Sequence, residues 1–163
     1  MLKNLFLAFL RQYLFWMVFF FICRSIFLIY NTNELRGISF LEILSVFWNA
    51  IYLDTSMACY LLGFSALIIP LYAFFSKKII SLIHKGYVIL ILIIFSLITI
   101  AEFETYDEWG TKLNVKGLRF LQHPSEVINS TSTLFLILGF ISVALLAAAG
   151  NYIYQKKLHP LFL

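Results

Sequence analysis

Four long apolar segments divide this chain of 163 residues, and each approaches the length that crosses a bilayer. A hydrocarbon core about 30 Å thick takes about 20 residues of α-helix. The segments fall at about residues 13–30, 55–75, 87–103 and 134–154. In lipid the backbone must satisfy its own hydrogen bonds, so helices are the form these spans must take. The predicted fold is all-α, a polytopic membrane protein in which residues 1–163 make one transmembrane domain. Hydrophobic residues are 62% of the chain and charged residues 12%, about half the charged share of a soluble domain.

The charges sort by side. With the N-terminus in the cytoplasm, Lys3, Arg11, Lys77, Lys78, Lys85, Lys156 and Lys157 fall inside, with no acidic residue beside them. All 8 acidic residues then fall outside, together with Arg24, Arg36, Lys112, Lys116 and Arg119. The Lys/Arg excess in the inner loops orients the chain, with both termini cytoplasmic and residues 31–53 and 104–131 facing outward. The net charge of +4 is therefore a membrane feature. Inner lysines and arginines beside spans hold anionic headgroups, and no basic, aromatic patch suited to nucleic acid is present. The first apolar segment is long and lacks a small-residue cleavage site, so it reads as an anchor rather than a signal peptide.

Both outer segments carry structure signals. Phe40, Leu44, Phe47, Trp48, Ile51 and Tyr52 form an apolar stripe at helical spacing. Ser39 and Glu42 make a capping-box pair before it. The stripe predicts an amphipathic helix on the outer interface; the alternative is the early start of a long, tilted second span. Asp54, Thr55 and Ser56 are candidate caps for the second span, and Pro70 is placed to kink it. In the second outer segment Lys112, Lys116, Arg119 and His123 are spaced to share one helical face. This segment is expected to form a helical cap contacting lipid headgroups, interrupted at Gly110 and Gly117.

The same segment carries a family resemblance. Tyr106-Asp107-Glu108-Trp109-Gly110-Thr111-Lys112-Leu113-Asn114, followed by Phe120-Leu121-Gln122-His123-Pro124-Ser125-Glu126-Val127, resembles the membrane region of lipoteichoic acid synthase-like proteins. The stretch Tyr52-Leu53-Asp54-Thr55-Ser56, with Ala58 and Tyr60, is similar to that family's aspartate at the start of its second helix. These are phosphoglycerol transferases of the alkaline phosphatase/sulfatase superfamily, and the resemblance is to the form found in Bacteroidetes-type bacteria. The resemblance implies five spans followed by an extracellular catalytic domain with a threonine nucleophile and a divalent metal. This chain runs through four spans to His159-Pro160-Leu161-Phe162-Leu163. The expectation is a fragment, a split gene or an isolated membrane domain, with Tyr106, Glu108, Trp109 and Pro124 as its outer-face motif.

Few residues offer chemistry of their own. Arg24 lies six residues before Tyr30, about 9 Å from the outer end at the helical rise. A mid-helix charge costs roughly 2.5–3.5 kcal/mol on insertion scales, so an intramembrane ion pair is expected, with Asp54 the first candidate partner. The alternative is snorkelling to the outer interface. Glu102, Glu104, Asp107 and Glu108 read as a solvated acidic turn rather than a cation loop. His84, His123 and His159 are isolated in sequence and lack zinc spacing. Cys23 and Cys59 read as packing residues rather than a disulfide. Ala144 and Ala148, with Gly139 and Gly150, give the fourth span a small-residue face. No phosphate loop, nucleophile elbow or catalytic residue is visible, and no cofactor is expected in this chain.

The leading expectation is a membrane-anchoring domain in a bacterial cytoplasmic membrane. It would support an extracellular catalytic domain, with membrane lipids as further partners. The alternative is a stand-alone four-helix scaffold or partner-binding protein. A small transporter is disfavoured, since the spans lack an internal repeat with paired broken helices. In a background where Cys23 and Cys59 are replaced, an impermeant thiol reagent applied to intact cells is expected to modify Thr111→Cys and to spare Ser81→Cys. Modification of the Ser81 site would invert or break this topology.

Overall fold

The computed structural model describes residues 2–68, 70–71, 74–112 and 132–158. Among them the chain forms four long helices and no strand: α1 (Leu2–Tyr30), α2 (Phe40–Ile68), α3 (Lys77–Trp109) and α4 (Thr133–Lys157). All four are long and apolar enough to cross a membrane.

Each helix starts before its hydropathy segment, for a local reason. At α2 the capping box forms as predicted: the Glu42 N–H donates to Ser39 Oγ at 3.3 Å, and the Ser39 N–H donates to Glu42 Oε2 at 2.8 Å. That reciprocal cap satisfies two free donors and starts the helix at Phe40. From there α2 runs unbroken for 29 residues. The separate amphipathic helix is thus replaced by the first half of one continuous helix. Asp54, Thr55 and Ser56 are interior positions of α2, not its N-cap. Pro70 does not kink this helix, which stops at Ile68. A proline lacks the N–H that would continue the ladder, and it disfavours helical geometry in the residue before it.

The third helix begins ten residues earlier than the apolar run and extends to Trp109. Lys77, Lys78 and Lys85 are good helix formers, so polarity ends the apolar run without ending the helix. Its 33 residues span about 50 Å, well beyond the apolar core. Gly110 closes it in the left-handed region at φ 62°, with its N–H donating to the Tyr106 carbonyl at 2.9 Å. Glycine adopts that conformation without a Cβ penalty. At α4 the Ser132 side chain caps the first turn by accepting from the Phe135 N–H at 3.2 Å.

The bundle packs around two apolar clusters. The larger joins Trp16, Phe19 and Phe20 of α1 to Ala58 and Leu61 of α2, Val88 and Leu92 of α3, and Ala147 and Tyr154 of α4. The smaller, toward the other end, holds Phe27, Ile100, Phe103 and Val143. The buried stripe of α4 is Val143, Ala147, Gly150 and Tyr154. The small-residue face therefore keeps Gly150 of its sequence assignment, while Ala144 and Ala148 are exposed. Gly150 is where contact is closest, since a Cβ there would come within 2.9 Å of Leu92 and 3.3 Å of Phe19. Cys23 is buried, Cys59 is exposed, and no disulfide joins them.

A buried polar network ties the four helices together, with one residue from each. Gln12 Nε2 of α1 donates to Ser65 Oγ of α2 at 2.7 Å. Ser65 Oγ meets His84 Nε2 of α3 at 3.2 Å, and the Tyr154 hydroxyl of α4 lies 3.4 Å from the same nitrogen. All four side chains are almost fully buried. Interhelical hydrogen bonds in membranes contribute about 0.6 kcal/mol on average and at most about 1.7. Gln12→Leu and Ser65→Ala are each expected to destabilise the bundle by about 1 kcal/mol in mixed-micelle unfolding, with a coupling of about 0.6 kcal/mol between them. Strictly additive effects would show that the Gln12–Ser65 contact contributes nothing.

Candidate functional site

The most polar intramembrane contact lies between α1 and α2, nearer the end of the bundle where α1 stops. Arg24 Nη1 donates to Asp54 Oδ2 at 2.7 Å, and Nη2 donates to Asp54 Oδ1 at 3.0 Å. This is the paired, bidentate geometry that a guanidinium and a carboxylate make best. The two side chains are 17% and 14% exposed, so the pair is screened from solvent but not sealed. Of the two sequence alternatives for Arg24, pairing and unpartnered snorkelling, the structure shows pairing.

Neighbouring residues hold the pair. Thr55 follows Asp54 on α2, and its Oγ1 lies 3.0 Å from the Tyr13 hydroxyl and 3.9 Å from Met17 Sδ. Phe21 packs on Phe47 at a centroid distance of 4.7 Å. A shallow pocket of about 280 Å³ opens beside Arg24 and Asp54, lined by Met17, Phe21, Leu44, Phe47, Trp48 and Ile51. The apolar stripe read from the sequence thus forms one wall of this pocket, while Phe40, Trp48 and Tyr52 keep 75%, 70% and 78% of their surface exposed.

A second pair sits one turn further along α1. The reversal at Gly110 brings Lys112 back over the end of α3. Its Nζ lies 3.1 Å from Glu102 Oε2 and 4.3 Å from the centre of the Phe27 ring. The Lys112 side chain is 51% exposed and Glu102 17%. An exposed pair of this kind contributes about 1 kcal/mol or less, though the cation–π contact adds to it. Phe27 also meets Tyr106 edge-on at 5.3 Å, and Tyr30 stacks on Phe103 at 4.3 Å.

Of the predicted headgroup face, Lys112 alone lies among the described residues. Lys112 lies beyond the end of α3, so it does not continue a helix from Glu108, and it is engaged with Glu102 and Phe27. Lys116, Arg119, His123 and Pro124 lie outside the described residues, as does the rest of the predicted cap. Of the outer-face motif, Tyr106 packs on Phe27, while Glu108 and Trp109 belong by their backbone to the last turn of α3. Among the described residues, no three His, Cys, Asp or Glu side chains are grouped to hold a metal ion. What the site offers is electrostatic: two cations, each opposite one carboxylate, Arg24 on α1 and Lys112 over the ring of Phe27 one turn further along it, beside apolar walls.

Sequence reasoning passes over the network of Gln12, Ser65, His84 and Tyr154. His84 reads as isolated because its partners are far away in the chain. The available signal is depth: each is a polar residue toward the same end of the bundle, in the first half of α1 and α3 and near the C-terminus of α2 and α4.

No family model matches the chain, and neither does any curated protein or solved structure. Removing one partner of a buried ion pair leaves the other charge uncompensated, at a cost of about 3 kcal/mol. Arg24→Ala and Asp54→Ala are each expected to destabilise by about that amount, with the exchanged pair Arg24→Asp/Asp54→Arg recovering part of it. A double-mutant cycle with no coupling would show that the pair is incidental.

Proposed function

We propose that this chain is a membrane-anchoring domain whose outer end serves a phosphoglycerol transferase of the lipoteichoic acid synthase-like type. In this reading the four helices hold an extracytoplasmic catalytic domain at a bacterial cytoplasmic membrane and present a phosphoglycerol lipid to it. The observation that carries it is the pairing of charge at one end of the bundle. Arg24 of α1 meets Asp54 of α2 there, and Lys112 meets Glu102 of α3. A charge inside a span is retained where it is used. Such pairs suit a lipid phosphate, because a guanidinium or ammonium group can exchange a carboxylate partner for a phosphate oxygen.

Two further features support the reading. The resemblance to the transferases is densest from Tyr106 to Val127, which follows directly on this end of α3. The first half of α2 also displays exposed Phe40, Trp48 and Tyr52, which suit the headgroup layer, where amphipathic aromatic rings concentrate. The divalent metal and the nucleophile that such a transferase needs belong to the catalytic domain in this reading, not to the four helices.

The test is a comparison of anchors. A fifth span with its catalytic domain, taken from the resembled family, is fused after this chain so that the domain lies at the outer end; the comparison carries the same domain on an unrelated single-span helix, and both are placed in phosphatidylglycerol proteoliposomes. Diacylglycerol release is expected to be about tenfold faster with this chain, the scale expected when a substrate is positioned rather than merely met. The triple variant Lys112→Ala/Lys116→Ala/Arg119→Ala is expected to fall back toward the single-span rate. Equal rates for the two anchors would reduce the chain to a scaffold.

A further inference from the structure

The opposite end of the bundle carries a groove that the outer site does not use. It runs between α1 and α4, has a volume of about 480 Å³, and is open along its length. That volume falls within the range of about 300–1,000 Å³ that small-molecule sites occupy. Its walls are Leu14, Val18 and Ile22 on α1 and Leu146, Ala149 and Ile153 on α4. Leu14, Val18 and Ile22 recur at i, i+4 and i+8, and Leu146, Ala149 and Ile153 at i, i+3 and i+7, so each set shares one helix face. The groove ends in two cations, Arg11 and Lys157.

The two helices are antiparallel, which settles where those cations sit. Phe15 packs on Tyr154 at 5.1 Å, and Phe19 faces Gly150. Continuing one turn past Phe15 on α1, and one turn past Tyr154 on α4, brings Arg11 level with Lys157. From Arg11 to Ile22 the groove follows 11 residues of helix, about 16 Å of axial length. A narrow apolar channel therefore descends from a doubly cationic mouth toward the middle of the bundle.

Among the described residues, no carboxylate side chain pairs with the mouth. No Asp or Glu occurs in residues 1–33, 55–101 or 127–163. Arg11 and Lys157 are both exposed. The neighbouring Lys156 is turned elsewhere, with its Nζ 3.2 Å from the Tyr152 hydroxyl and 5.4 Å from the centre of that ring. Two cations at one depth, above an apolar groove, complement one amphiphile: a phosphate attached to an acyl chain. Arginine takes phosphate oxygens through its planar fork, and lysine adds a point charge. A second copy of this chain fits less well. A two-fold axis along the membrane normal would set Arg11 and Lys157 against their own duplicates at the same depth.

We propose that the α1–α4 groove binds one anionic diacyl phospholipid from the leaflet on the Arg11 side. The phosphate rests on Arg11 and Lys157, and one acyl chain lies along the groove. This goes beyond the outer-end reading and stands without it, since the two sites share no residue.

Native mass spectrometry of the full chain, released from vesicles of equal parts phosphatidylglycerol and phosphatidylcholine, tests it. Phosphatidylglycerol is expected to be retained about fivefold over phosphatidylcholine. The variant Arg11→Gln/Lys157→Gln should bring the two lipids to parity, whereas Lys77→Gln/Lys78→Gln, which removes equal charge from the same end, should leave the preference intact. Ala149→Trp fills the groove while keeping both cations, and should lower the retention of bound lipid. Loss of preference in the Lys77/Lys78 control to the same degree would reveal general attraction rather than a site. Unchanged lipid retention in Ala149→Trp would place the lipid outside the groove. A wild-type dimer that Ala149→Trp dissociates would assign the groove to a second copy.

Discussion

The hydrogen-bonded set of Gln12, Ser65, His84 and Tyr154 is what makes four apolar helices into one particular bundle. Leucine and isoleucine faces are as content against lipid tails as against one another, so hydrophobicity drives insertion but not association. Packing and buried polar contacts have to choose the partners. In this bundle one polar atom, His84 Nε2, stands within 3.2 Å of Ser65 Oγ and 3.4 Å of the Tyr154 hydroxyl, and Ser65 in turn accepts from Gln12. A helix shifted by one turn would withdraw its polar group from the set and leave it in hydrocarbon. The register of all four helices is therefore coupled at one depth. The larger apolar cluster, with Trp16, Leu92 and Tyr154 fully buried, packs around that point.

From this anchor the two ends diverge. At one end, cations meet carboxylates within the chain: Arg24 with Asp54, and Lys112 with Glu102. At the other, Arg11 and Lys157 face a groove with no acidic residue near them in sequence. The first arrangement is neutralised within the chain, its bidentate pair set beside Phe21, Phe47 and Trp48. The second leaves positive charge to be matched by the membrane. The difference follows from the placement of Asp and Glu along the chain, so electrostatic function is divided before any side chain is positioned.

Much of this is legible in the sequence. Runs of about 20 apolar residues imply spans, and Ser39 with Glu42 implies a helix start, because both depend on local chemistry. Arg24 needs a carboxylate, and Asp54 is the nearest at a helix in the same layer. Helix ends are harder, because hydropathy marks lipid contact rather than hydrogen bonding. The 33 residues of α3 pass straight through Lys85 and Glu102. The amphipathic stripe of α2 is real as a pattern but not as a separate element, since nothing at Asp54 breaks the backbone. The α4 face is read from sequence in part. Gly150 is on it, against Leu92 and Phe19, but the buried alanine is Ala147 rather than Ala144 or Ala148. Lys112 has the spacing of a helical stripe, and Gly110 turns it back onto Glu102 instead.

The groove and the tight helix contact have one origin. At Gly150 the missing Cβ lets Leu92 of α3 occupy space that any side chain would claim, with Leu92 Cδ2 at 2.9 Å from that position. That close approach seats α4 against α3. Ala149 is the adjacent residue, about 100° around the helix at 3.6 residues per turn, so the face it presents to α1 is also shallow. Across from it, Leu14 and Val18 line the other wall, and between Leu146 and Ile153 the small Ala149 leaves the space open as a groove of about 480 Å³. A larger side chain at Ala149 would fill that channel without touching the α3 contact. A larger one at Gly150 would disturb both. The small residues of α4 thus do two separable things: one position sets how near two helices come, and its neighbour sets how much room is left beside a third.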